Sequence, residues 1–229
     1  MADHCTVMLV HGAWHGAWCW DEVAQRLRAD GIPVVAVDLP SVAAGGDMHD
    51  DARAVREAIA AVDGETIVVG HSYGGVVITE GAAGAHGVRH LVYLTAFMLD
   101  EGESLLATVG GALPAWIEVT DGEATIVPDG KPVFYNTTAP DAASAAAARL
   151  RPQAKATFEQ TVRSVAWRDV PSTYVICDRD NAIPVPAQEA MAARAGTTYR
   201  LDTDHSPFLN DPDAVAALIN EAARLPQIA

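Results

Sequence analysis

Three residue types in this chain could work together as an acyl-transfer site: a serine, a histidine and an aspartate. The serine is Ser72, at the centre of Gly70-His71-Ser72-Tyr73-Gly74, a G-x-S-x-G pattern. Before it, Ile67 to Val69 is a short β-branched run that reads as a buried strand. After it, Gly75 to about Ala85 reads as a helix. A strand, a sharp turn and a helix force the central residue into a strained backbone conformation and push its side chain off the sheet edge. The glycines at 70 and 74 are expected because a Cβ there would collide as strand and helix close on each other. The competing reading is a glycine-rich turn with an incidental serine, so the rest of the chain must supply a base and an acid.

A serine hydroxyl is a poor nucleophile until a base takes its proton, and the base needs a third group to fix its tautomer. His205 is the only histidine after His90, and it follows the last expected strand. For the acid, Asp178 and Asp180 both lie in the loop after the preceding strand, downstream of Ser72 and upstream of His205. Asp202 and Asp204 stand close to His205 in sequence and read as solvated loop residues. Acyl transfer also needs donors aimed at the developing oxyanion. The backbone N–H of Tyr73, at a helix N-terminus, is one candidate. Another can come from His11-Gly12-Ala13-Trp14-His15-Gly16-Ala17-Trp18, where glycines directly after a strand let backbone approach a ligand. Within it His11 and His15 read as structural, and Trp18 and Trp20 as core. Trp14, His71, Phe97 and Trp116 are the substrate-pocket candidates, with His71 in a supporting role.

These residues need a frame that brings four loops to one edge. Apolar runs predict strands over 6–10, 32–37, 67–69, 91–94, 173–176 and 198–201. Helical spacing predicts helices over about 20–29, 50–62, 75–85, 185–194 and 212–224. Alternating strand and helix predicts an α/β fold, a mostly parallel sheet of about six strands flanked by helices. Sites in such sheets lie at the strands' C-terminal ends, where the His11 loop, Ser72, Asp180 and His205 all fall. The stretch 99–167 breaks the alternation. It contains a polar turn, Asp121-Gly122-Glu123, and an alanine-rich run, but no clear core strand. The expected organisation is a core of 1–98 and 168–229 with 99–167 inserted as a cap subdomain over the site.

Composition bounds the partners. The chain has 229 residues, half of them hydrophobic, and a formal net charge of −15. That acidity argues against nucleic acid and against an anionic membrane surface. The three cysteines are far apart with no C-x-x-C, and read as free thiols in a reducing compartment. No ligand spacing predicts a metal, and no G-x-G-x-x-G predicts a dinucleotide, so no cofactor is expected. The N-terminus has no basic region followed by an apolar core, and no apolar run approaches a membrane span. The expected location is cytoplasmic.

On these residues the chain resembles the α/β-hydrolase fold enzymes. Specifically, it resembles the group holding plant methylesterases, hydroxynitrile lyases and bacterial carboxylesterases, including pyrethroid-hydrolysing ones. The resemblance is carried by Val10 to Trp18, Gly70-His71-Ser72-Tyr73-Gly74-Gly75, Tyr174 to Cys177 with Asp180 and Ile183-Pro184, and Asp204-His205. It implies a triad of Ser72, Asp180 and His205, with an oxyanion hole from the backbone N–H groups of Ala13 and Tyr73. It also implies a cap of helices and a small hairpin. The lyases similar to this chain carry Thr where Gly12 stands, and Lys where Ser206 stands. That lysine holds the leaving cyanide as an anion, so its absence points to hydrolysis of a small hydrophobic ester through an acyl-enzyme. The partner expected is a small-molecule ester, with a homodimer left open. The alternatives are a non-hydrolytic, hydroxynitrile lyase-like use of the same site and a receptor-like binder with little turnover.

Overall fold

The computed structural model describes residues 5–42, 45–120, 124–126 and 129–224. The turn expected at 121–123 and the first four residues, on which the reading of the N-terminus rests, lie outside them. The main frame begins with β1 (Thr6–Val10), α1 (Asp21–Ala29), β2 (Val34–Val37), α2 (Met48–Ala60), β3 (Thr66–His71), α3 (Gly74–Gly81) and β4 (Val88–Leu94). The stretch between β4 and the next core strand holds α4 (Leu105–Thr108), β5 (Glu118–Thr120), β6 (Ala124–Ile126), α5 (Lys131–Phe134), α6 (Pro140–Ala147), β7 (Gln153–Ala154) and α7 (Ala156–Glu159). The frame resumes with β8 (Ser172–Cys177), α8 (Val185–Ala192), β9 (Thr197–Leu201), α9 (Pro207–Asn210) and α10 (Pro212–Arg224).

The six core strands form one sheet in the order β2-β1-β3-β4-β8-β9, every pair parallel. A parallel sheet covered on both faces needs apolar side chains pointing both ways, which is why β1, β3 and β8 are buried throughout. Alternate residues serve different layers. Val7, Leu9, Ile67, Val69 and Val175 pack with Val23 and Leu27 of α1 and with Val215 and Ile219 of α10. Met8, Val10, Val68, Tyr93 and Ile176 pack on the other face with α2, α3 and α8. The first turn of α2 is set by a capping box, in which Asp47 and Asp50 each accept the other's backbone N–H.

Register then places the loops. Gly70 of β3 lies opposite Val10 of β1 and Tyr93 of β4, so the loops after these three strands leave the sheet side by side. Cys177 of β8 lies opposite Leu201 of β9, and the loops stay paired beyond it: Asp178 N–H donates to the Leu201 carbonyl and Arg179 N–H to that of Thr203, at 2.9 and 3.0 Å.

Several element boundaries differ from expectation: β4 begins at Val88 rather than 91, α2 spans Met48–Ala60 rather than 50–62, and two further shifts have a local cause. β2 starts at Val34 rather than 32, after Pro33, whose carbonyl accepts from Val7 at 2.9 Å. α3 ends at Gly81 rather than near 85, because a turn with Gly84 at φ 67° reverses the chain toward β4. The 99–167 stretch carries a separate three-stranded antiparallel sheet, β5-β6-β7, where a small hairpin was expected. It touches the frame through a bridge between Val42 and Gln153. Among the described residues no helix is long and apolar enough to cross a membrane.

Candidate active site

Ser72 stands between the end of β3 and the start of α3 with φ 53°, a left-handed conformation that costs a residue with a side chain. The turn is tight. A Cβ on Gly70 would stand 2.7 Å from the Gly74 carbonyl oxygen, so strand and helix can close only over glycine. The Ser72 carbonyl accepts from Gly75 and Phe97 N–H, each at 3.0 Å, which holds the strained residue from two sides. Its side chain makes no hydrogen bond among the described residues.

His205 follows β9 and is 2% exposed. Its Nδ1 lies 2.7 Å from Asp180 Oδ2. A carboxylate only accepts, so Nδ1 carries the proton and Nε2 is left as an acceptor. Asp180 is itself fixed. Oδ1 accepts the N–H groups of Ala182 and Ile183 at 2.6 and 2.9 Å, and Oδ2 accepts from the Thr95 hydroxyl and from Gln188 Nε2. Of the two aspartates in that loop the other, Asp178, turns to solvent and pairs with Arg200.

The loop after β1 faces the same place. A Cβ on Gly12 would stand 2.8 Å from both His71 Nδ1 and Ser72 Cβ, so only glycine lets this loop lie against the serine. Two buried histidines orient its peptides. His11 Nε2 accepts the Leu39 N–H at 3.0 Å, which leaves the proton on Nδ1 to donate to the Gly12 carbonyl at 2.8 Å. His15 Nδ1 donates to the Ala13 carbonyl at 2.9 Å while Nε2 accepts from the Tyr135 hydroxyl at 2.8 Å. Burial pushes both imidazoles down, His11 to about 4 and His15 to about 3, so they stay neutral near pH 7. The result is two unused donors: neither the Ala13 nor the Tyr73 amide N–H has an acceptor among the described residues. Unpaired buried amides are rare, and these two sit at the cavity that Ser72 and His205 also line.

That cavity is walled mainly by apolar side chains. Trp14, Phe97 and Trp116 line it. So do residues not singled out from the sequence, chiefly Leu105, Ile117, Phe134 and Phe158. Trp14 joins the other aromatic rings of the wall, with ring centroids 5.7 Å from Trp116, 5.7 Å from Phe134 and 5.6 Å from Phe158. Its own backbone is left-handed at φ 63°, held by Arg151 N–H on its carbonyl at 2.9 Å and by its indole N–H on Thr125.

Three sequence expectations are corrected. His71 does not line the cavity: it is fully buried behind Ser72, its Nε2 2.7 Å from the carbonyl oxygen of His205. Asp204 is not solvated but fully buried, with Oδ2 accepting from Thr137 N–H at 2.8 Å and Thr138 Oγ1 at 2.9 Å. Asp202 does turn outward, paired with Arg179. Trp18 is only half-buried, with the Arg149 guanidinium 4.3 Å over its ring, whereas Trp20 is core. The stretch 131–138 also clasps both loops of the His–Asp pair. Asn136 Nδ2 donates to the Arg179 carbonyl at 3.0 Å, Asn181 Nδ2 to that of Pro132 at 2.9 Å, and Asn210 Nδ2 to Thr137 Oγ1 at 2.8 Å. The three cysteines are buried free thiols.

Known proteins resemble this chain in sequence and in fold. The sequence model of the alpha/beta hydrolase family matches residues 7–218. The chain is 30% identical to the alpha/beta hydrolase nvfD of Aspergillus novofumigatus, over 95% of this chain and 96% of that protein. It is 39% identical to a carbendazim hydrolyzing esterase of Nocardioides, over 47% of this chain and 48% of that one. Among solved structures, a pyrethroid hydrolase from Sphingobium faniae superposes with a TM-score of 0.82 at 24% identity, covering 97% of this chain and 98% of that one. That likeness carries the fold.

Proposed function

The chain belongs to the alpha/beta hydrolase family, and we propose from that membership and the geometry of its site that it is a serine carboxylesterase for small apolar esters. One observation carries the reading. A strained serine, a histidine with its tautomer set by an aspartate, and two unpaired backbone amides meet at one apolar cavity. Ser72 Oγ attacks the ester carbonyl as His205 Nε2 takes its proton. Asp180 holds the imidazole and stabilises the cation that forms. The Ala13 and Tyr73 amides donate to the tetrahedral oxyanion. His205 then protonates the departing alcohol, and a water deprotonated by the same imidazole releases the acid from Ser72. Residues 99–167 act as the cap, which supplies Leu105, Trp116, Ile117, Phe134 and Phe158 to the apolar wall around the reacting atoms.

The position after the base supports hydrolysis over cyanohydrin cleavage. It is Ser206, buried and neutral, where the similar lyases present a cation for cyanide. The esterase relative from Nocardioides supports the same class. The test is p-nitrophenyl acetate hydrolysis by the wild type and by Ser72→Ala, with fluorophosphonate labelling read by intact mass. Wild-type turnover, one adduct and loss of both in Ser72→Ala are expected. Turnover that survives Ser72→Ala would overturn the proposal.

A further inference from the structure

Resting on the esterase reading, we propose that Gln153, supplied by the inserted stretch, is a positioning residue that locks the two oxyanion-donating amides to each other. It touches neither substrate nor the reacting atoms. It ties the loop that presents Ala13 to the residue that presents the other donor, Tyr73, through a buried chain of hydrogen bonds.

Gln153 is fully buried, and its whole carboxamide is used. Oε1 accepts the Trp14 N–H at 3.4 Å, and Trp14 shares its peptide with the Ala13 carbonyl. Nε2 donates to Ser41 Oγ at 2.7 Å and to Thr157 Oγ1 at 3.1 Å. Because an amide nitrogen only donates, Ser41 Oγ must accept there and send its own proton onward, to Asp51 Oδ2. The same Oδ2 accepts the Tyr73 hydroxyl at 2.6 Å, and Oδ1 accepts the Ser41 N–H at 2.9 Å. Every donor has one direction open to it, so the chain runs without ambiguity from Trp14 through Gln153, Ser41 and Asp51 to the Tyr73 side chain.

Asp51 is the costly member. It is fully buried with no Lys, Arg or His paired to it among the described residues, and burial pushes its carboxyl up to about 6. A lone buried carboxylate is poor material for stability alone. Here its three donors are what fix the Tyr73 side chain, and with it the residue whose N–H faces the cavity. At the other end, Trp14 is held in its left-handed conformation by Gln153, Thr125 and Arg151, all from the insertion. A fully satisfied buried network rigidifies the groups it joins, and oxyanion stabilisation depends on donors that are fixed before the reaction.

The test uses Gln153→Met, which keeps length and volume but cannot hydrogen-bond, Tyr73→Phe, which removes one hydroxyl and keeps the amide, and the double variant. With p-nitrophenyl acetate, each single variant is expected to lose about 10- to 100-fold in kcat at a KM within about 2-fold of wild type. Inhibition by an aryl trifluoromethyl ketone, which forms the tetrahedral oxyanion, should weaken in parallel. The double variant should be little worse than either single, because both cut one chain. If either single variant keeps wild-type kcat, or if the two losses multiply in the double, the coupling is overturned. Should Gln153→Met fail to fold, Tyr73→Phe still decides through its kcat and inhibitor affinity. The controls separate the two readings. A wild type without Ser72-dependent turnover sinks the esterase, whereas a fully active pair of variants beside an inert Ser72→Ala sinks only the coupling.

Discussion

The carbonyl oxygen of His205 lies 2.7 Å from Nε2 of His71, the residue immediately before Ser72. A carbonyl only accepts, so His71 carries its proton on Nε2 and holds the backbone of the proposed base from the strand that leads to the proposed nucleophile. Its ring also lies 4.7 Å from that of His205. His71→Phe keeps the ring and deletes the donor, leaving a buried carbonyl unsatisfied. A stability loss of about 1–3 kcal/mol in urea unfolding is expected, with kcat reduced about 10-fold through a less well-held imidazole. Unchanged kcat in a folded variant would show that the base does not need this support.

Asp180→Asn should reduce kcat by about 10⁴-fold. The amide can place its NH₂ against His205 Nδ1, which favours the tautomer with the proton on Nε2 and so removes the acceptor for the serine proton. Ser72 should remain reachable by fluorophosphonate, but label much more slowly than in the wild type. A loss smaller than about 10-fold would assign the role to a different acid.

Gly12→Thr tests how the loop after β1 is seated. The new Cβ would meet His71 Nδ1 and Ser72 Cβ at 2.8 Å, so loop or serine must shift. Hydrolysis should drop by at least about 10-fold with a stability cost of about 1–3 kcal/mol. Mandelonitrile cleavage should not appear, because Ser206 still offers no charge to cyanide.

Trp116→Ala opens the wall across from Trp14. Its ring meets Trp14 edge-on at 5.7 Å and Phe134 at 5.6 Å, so its loss leaves apolar space rather than an unpaired polar atom. The ratio of kcat/KM for p-nitrophenyl hexanoate over acetate should rise about 10-fold or more. A panel of p-nitrophenyl esters of increasing acyl length measures it.

Acid should destabilise the fold through buried histidines. His11 and His90 are lowered to about 4 and His15 to about 3, all by burial, and His71 is held well below the usual histidine range by burial and the neighbouring His205. Between pH 6.5 and 4 the unfolded chain therefore takes up protons on these four that the native state refuses, and stability falls as pH falls. Asp51 acts oppositely. Raised to about 6, it binds a proton in the native state before the unfolded one does, and adds stability as pH falls from 6 toward 4. Four groups against one give a net loss, about 1.4 kcal/mol per pH unit for each net proton. Urea midpoints at pH 7.5, 6.0 and 5.0 should decline in that order, and a flat profile would contradict the burial of these rings.

The sheet was legible because its strands are buried on both faces, which leaves apolar runs such as Val7–Val10 and Tyr174–Cys177. Ser72 was legible because a glycine-flanked turn between strand and helix is a purely local constraint. Asp204 was not. Its burial depends on Thr137 and Thr138, more than sixty residues away, and nothing beside it in the chain signals them. The same holds for His71, whose partner carbonyl belongs to residue 205. Phe134 and Phe158 escaped notice because they sit on helices of four residues, too short to print a period in the sequence. Asp51 lies in the first turn of α2, where an acidic residue draws no notice, and its partners Ser41 and Tyr73 come from two other segments.

The clasp that residues 131–138 make on the loops of Asp180 and His205 has a bearing on how such proteins diverge. A lineage that exchanges the stretch between β4 and β8 to reach a new ester also replaces the donors that seat Asp204 beside the proposed base. Substrate range and turnover are thereby inherited together. A chimaera that borrows the insertion alone should bind its new ester before it can turn it over well, and recover rate through second changes near residues 179–181 and 204–210 rather than in the pocket wall.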